Sequence, residues 1–107
     1  MLFTIFIPSM ISIEKKHLDM LKHILNLHIP NIEVRAFGSR VNGTNRKYSD
    51  LDLAIVGNGK LDNRSLWKLK NTLMESRLPF RVDVLDYNAV SESIRKIIDN
   101  EYEVIRL

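Results

Sequence analysis

Two carboxylates, one residue apart, sit at the head of an apolar run: Asp50-Leu51-Asp52-Leu53-Ala54-Ile55-Val56. The run is rich in residues that favour strands, and "GNGK" ends it. Side chains on a strand alternate between faces. Asp50 and Asp52 therefore share one face, about 7 Å apart along the strand from its rise per residue. Leu51, Leu53 and Ile55 take the other. Such a strand can bury its leucine face in a core. It cannot bury the acid face as well unless something neutralises two adjacent anions. A divalent cation would do so, and paired oxygen ligands suit Mg2+.

A third acid repeats the pattern. Asp83 lies inside "FRVDVLD", between Val82 and Val84. A carboxylate at the centre of a short apolar strand is hard to explain by folding alone. If that strand neighbours residues 50–56, Asp83 completes a three-acid cluster. Asp86 points to the opposite face and reads as a turn or helix-start residue. An exposed strand start would account for Asp50 taken singly, but not for the three together.

Gly38-Ser39 follows the alternating run "IEVRAF" and opens a short polar segment that Asn42-Gly43 breaks. Glycine lets a ligand approach the backbone, and amides at a helix start attract phosphate. The Ser39 hydroxyl can donate one more hydrogen bond. A bare Gly-Ser is usually a turn, so its weight comes from its place between two strands, upstream of the acids. The segment is neither a Walker A loop nor a Rossmann fingerprint, because the required spacings are absent.

The remaining elements follow from periodicity. Residues 13–28 predict a helix with Leu18, Leu21, Ile24 and Leu25 inward and Ser12 as cap. Residues 32–37, 50–57 and 81–86 predict strands. Residues 63–77 predict a second helix with Leu66, Leu69 and Leu73 inward. Residues 90–100 predict a third, with Val90, Ile94, Ile97 and Ile98 on one stripe, and "EVIRL" a short final strand. Strands separated by helices predict an α/β (α+β) fold with a small mixed sheet and helices packed on it. At 107 residues, residues 1–107 are expected to form one domain.

Composition narrows the function. The net charge of +3 comes from scattered lysines and arginines, which gives little support to a nucleic-acid groove. The chain has no cysteine, so disulfides and thiolate metal sites are excluded, which fits a cytoplasmic protein. "LFTIFI" near the amino terminus is too short to span a bilayer and makes a poor signal peptide. Residues 1–9 read as an upstream extension or an extra edge strand.

The combination of "GS", ten intervening residues and "DLD", with the later acid Asp83, resembles the signature of the DNA polymerase beta-like nucleotidyltransferase superfamily. The "FGSR" context, the length and the element order resemble its minimal nucleotidyltransferase (MNT) subgroup. The resemblance covers residues 10–107 and implies the nucleotidyltransferase fold. It implies two Mg2+ ions held by Asp50, Asp52 and Asp83. It also implies that Gly38 and Ser39 hold the phosphates of ATP, with Arg40 offsetting their charge. An acceptor hydroxyl would attack the α-phosphate in line and release pyrophosphate, with two metals stabilising the entering and leaving oxygens. Asp83 would help to take the acceptor's proton.

The MNT subgroup resembles antitoxins paired with HEPN ribonuclease toxins, which implies transfer of AMP to a toxin tyrosine. The alternatives are an antitoxin that acts by binding alone, and transfer to RNA or a small molecule. Other residues read as structural. His17, His23 and His28 lack metal-pair spacing on their helix. Met20 and Met74 read as core fillers, Trp67 as core edge, and Tyr48 and Ser49 as loop packing beside the nucleotide. An apolar surface near Trp67 or the last helix would serve a homo-oligomer or a toxin complex.

Overall fold

A computed structural model describes residues 11–106. The expected extension at residues 1–9 lies outside the described residues. The order is α1 (Lys15–His28), β1 (Glu33–Phe37), α2 (Ser39–Asn42), β2 (Leu51–Val56), α3 (Asn63–Glu75), β3 (Val82–Asp86), α4 (Glu92–Asn100) and β4 (Tyr102–Arg106). The strands form one sheet in the order β3-β2-β1-β4. β1 runs antiparallel to β2 and to β4, while β2 and β3 are parallel. A parallel pair needs a crossover, and α3 supplies it. The sheet is mixed, as the sequence predicts.

One sheet face carries the main core. Leu51, Leu53 and Ile55 of β2 meet Val34 and Ala36 of β1, Val84 of β3, and Leu21, Leu25, Leu69 and Leu73 of α1 and α3. These positions are nearly sealed from solvent, and each large side chain buried there contributes about 1.5–3 kcal/mol. The other face is covered only in part. There Phe37, Ala54 and Ile98 form a small cluster with Leu85, Tyr87 and Val90. Beside it the Arg35 guanidinium lies 4.3 Å from the Tyr102 ring centre, a cation–π contact that ties β1 to β4. Asp52 of β2 and Asp83 of β3 belong to this thinly covered face.

Helix starts differ in how they are capped. Asp62 accepts from the Ser65 backbone N–H and caps α3, and Ser91 accepts from the Ile94 N–H and caps α4. Ser12 does not cap α1, which begins after Glu14 with no side-chain cap. Instead the Ser12 carbonyl accepts from Arg40 and its N–H donates to the Arg40 carbonyl.

Three side chains expected in or near the core are outside it. Trp67 is 65% exposed and Met74 77% exposed, because both lie off the Leu69–Leu73 stripe of α3. On α4 only Ile98 is sealed, while Ile97 stays 60% exposed because α4 covers the sheet by one edge. Asp86 acts as a turn residue. It is buried, and its carboxylate accepts from the Leu61 and Asn88 backbone N–H groups. Among the described residues no helix is long and apolar enough to cross a membrane.

Candidate active site

The parallel register sets the site. Asp52 stands opposite Asp83, and Leu51 stands opposite Val82. One step back, the Leu51 N–H donates to the Arg81 carbonyl at 2.8 Å, which fixes the entry of β3 beside that of β2. Asp50 and Asp52 are two residues apart, as are Arg81 and Asp83. Four charged groups thus occupy the corners of one patch on the thinly covered face. Asp50, Asp52, Arg81 and Asp83 all line one open cleft of about 1060 Å³, which Tyr48, Met74 and Ile97 also border.

The patch is electrostatically loaded. Partial burial pushes the Asp52 carboxyl above the usual carboxylate range, and the neighbouring Asp83 and Asp50 push it further. Arg81 opposes that shift. The Arg81 Nε donates to Asp83 Oδ1 at 3.0 Å and Nη2 donates to Oδ2 at 3.3 Å. The same Nε lies 3.7 Å from Asp50 Oδ2. The sequence reading did not single out Arg81. Its only signal was its period-two placement relative to Asp83, which puts both on one face.

Gly38 fits its position for two reasons. It caps the four-residue α2 with φ 82° and ψ −156°, a region that only glycine enters readily. A Cβ on Gly38 would also stand 2.4 Å from Asp52 Oδ2, well inside contact distance. Glycine is what allows the turn and the carboxylate to share this space. Ser39 opens α2, and among the described residues nothing takes its hydroxyl as a hydrogen-bond partner. The turn closes at Gly43, also with positive φ, whose N–H donates to the Ser39 carbonyl.

Arg40 is engaged by the fold itself. Its side chain is buried, and its guanidinium donates to the carbonyls of Ser49, Ser12 and Lys47 at 2.9, 2.7 and 3.0 Å. It also stacks on Phe80, with 4.3 Å from Cζ to the ring centre. With its donors turned inward, Arg40 ties together the segment before α1, the loop that leads to Asp50, and the approach to β3. It is not an ordinary surface arginine here.

The loop before β2 divides its work. Ser49 serves packing, since its Oγ accepts from the Arg46 N–H. Tyr48 is 67% exposed at the cleft. The histidines have structural surroundings. His28 shares a 2.8 Å hydrogen bond with Thr72, and His17 meets the Phe80 ring edge-on.

Three carboxylates of hard oxygen donors suit a divalent cation such as Mg2+, and one bound there would relieve the raised Asp52. Among the described residues they are not drawn into a ready-made cage, and Arg81 contacts Asp83 and approaches Asp50.

Residues 19–106 match the family described as polymerase beta, nucleotidyltransferase. The chain is 45% identical over 98 residues to the probable protein adenylyltransferase MntA of Haemophilus influenzae, covering 92% of this chain and 86% of that protein. It is 35% identical over 69 residues to the protein adenylyltransferase MntA of Shewanella oneidensis, covering 64% of this chain and 49% of that one. Among solved structures, a toxin–antitoxin with AMP-PNP superposes with a TM-score of 0.70 at 26% identity, covering 83% of this chain and 72% of that chain. A chain of the complex between a tri-AMPylated Shewanella oneidensis HEPN toxin and MNT antitoxin shares the fold, with a TM-score of 0.66 at 22% identity, over 88% of this chain and 72% of that chain. By its fold, its matched span and its relatives, this chain belongs to the polymerase beta nucleotidyltransferase family.

Proposed function

We propose that this chain is a Mg2+-dependent protein adenylyltransferase that transfers AMP from ATP to a tyrosine of a partner HEPN toxin, and so acts as its antitoxin in the cytoplasm. One observation carries the reading. Three carboxylates, Asp50, Asp52 and Asp83, share an open cleft, and Asp52 sits against the one backbone position, Gly38, that leaves room for it. The relatives named above as adenylyltransferases, and the similar toxin–antitoxin structures, support the choice of acceptor.

In this reading Asp50, Asp52 and Asp83 would hold the Mg2+, which supplies charge neutralisation of the triphosphate. Gly38 and Ser39 border the phosphates, and the Ser39 hydroxyl is available to donate to them. Arg40 acts at one remove, by holding the loop that delivers Asp50. The acceptor tyrosine attacks the α-phosphorus. A bond forms from its oxygen to phosphorus, the bond to the β-phosphate bridge breaks, and pyrophosphate leaves. The tyrosine proton passes to Asp83 or to water.

The test is a labelling reaction with α-labelled ATP, Mg2+ and a HEPN toxin as acceptor, run in parallel with D50A/D52A. Label on the partner with the intact acids only is the expected result. A stable complex without label would replace this reading with an antitoxin that acts by binding. Absence of both label and complex would turn the search to RNA or small-molecule acceptors.

A further inference from the structure

We propose that Arg81 is a positioning residue that stands in for the metal. It holds the acid patch together before the cation arrives, and the cation must displace it. The inference rests on the reading that Asp50, Asp52 and Asp83 bind a divalent cation.

The geometry carries it. The Arg81 guanidinium forms a two-point contact with Asp83, at 3.0 and 3.3 Å, and approaches Asp50 to 3.7 Å. It therefore bridges the first and third acids from two different strands. Its backbone is fixed, since the Arg81 carbonyl accepts from Leu51 and the preceding Phe80 is buried beneath the Arg40 guanidinium. The side chain beyond that anchor is 73% exposed, so nothing packs it in place and it can leave.

Charge explains why it is there. Without a cation, three carboxylates at the ends of two adjacent strands repel each other and splay the β2–β3 edge. One guanidinium offsets part of that charge with directional hydrogen bonds. It reaches Asp83 and Asp50 but makes no hydrogen bond to Asp52, which stands opposite Asp83. A divalent cation offsets more and draws on the same Asp50 and Asp83 oxygens. Loading is therefore an exchange of Arg81 for metal, and Arg81 lowers the apparent affinity of the site for the free ion.

The test is Mn2+ binding, followed by electron paramagnetic resonance of the free ion, for the wild-type chain, R81Q, R81K and D50A/D52A. Thermal unfolding of each is recorded with and without Mg2+. R81Q is expected to bind Mn2+ roughly threefold to tenfold more tightly than wild type. R81K keeps the charge but loses the fork, and is expected to fall between them. Without metal, R81Q should melt below wild type, and saturating Mg2+ should close that gap.

If wild type binds Mn2+ through the acids and R81Q binds it equally or more weakly, the exchange is overturned while the metal reading stands. If R81Q gains affinity but R81K matches wild type, charge alone acts and the two-point clamp is overturned. If D50A/D52A binds Mn2+ as well as wild type, the carboxylate reading falls and the exchange falls with it.

Discussion

Asp52 and Asp83 stand directly opposite each other across the parallel β2–β3 pair, on the sheet face that the helices leave thinly covered. Two like charges in register on neighbouring strands oppose folding. Asp52 suffers most, because it is the more enclosed and also has Asp50 two residues away. The sheet keeps this arrangement because its opposite face is a well-filled core that does not depend on it.

That opposition gives the first prediction. The Asp52 carboxyl is held above its ordinary value, so folding favours its neutral form. Stability from this group is fully present below the unfolded-state value and is lost as pH rises through the folded-state value. At neutral pH without metal, the Asp52 carboxyl is thus a net cost. Asp52→Asn should raise the melting temperature of the metal-free protein at pH 7, and the gain should shrink toward pH 4. Transfer by the same variant should fall by at least about 100-fold. Calorimetry across pH and the labelling reaction check both halves.

Gly38→Ala tests the close approach of turn and acid. The new methyl would lie 2.4 Å from Asp52 Oδ2, in a backbone region costly to other residues. Destabilisation of about 1–3 kcal/mol in urea unfolding is expected, together with weaker transfer. If Gly38→Ala costs less in the D52A background than in the wild type, the clash with Asp52 is the cause. The remaining loss belongs to the backbone angle.

Arg40 separates a structural arginine from a phosphate-binding one. Arg40→Lys cannot reach three carbonyls at once, so it should lose nearly as much stability as Arg40→Ala, about 3 kcal/mol or more. In whatever fraction stays folded, the KM for ATP should be close to that of wild type. A large rise in KM with unchanged stability would place Arg40 at the triphosphate instead.

Much of this was legible in the sequence because it rests on short-range periodicity. The Leu51-Leu53-Ile55 face, the Leu69–Leu73 stripe of α3 and the shared face of Asp50 and Asp52 follow from alternation or helical spacing alone. What the sequence hid depends on which elements meet. Arg40 reads as another scattered cation until Ser12, from before α1, and Lys47 and Ser49, from the loop before β2, converge on it. Arg81 reads as a flank of its strand until the parallel register sets it beside Asp50. The stripe on α4 predicts burial of Ile94 and Ile97, yet helical periodicity marks an apolar face without saying how much of it a small sheet can cover.

Asp83 and Asp86, three residues apart on β3, should give opposite results when each is replaced by alanine. Asp86 is buried on the core side of the strand, where its carboxylate accepts from Leu61 and Asn88 and pins the two loops that flank β3 and α3. Asp86→Ala leaves those N–H groups unpaired and should cost about 1–3 kcal/mol, while the folded protein still transfers label. Asp83 lies in the cleft, where its loss removes a repulsive neighbour of Asp52 and a partner of Arg81. Asp83→Ala should therefore change stability little and abolish transfer. Urea unfolding and labelling of the two variants side by side check the contrast. Retained transfer in Asp83→Ala would remove that acid from the reaction and leave Asp50 and Asp52 to hold the cation.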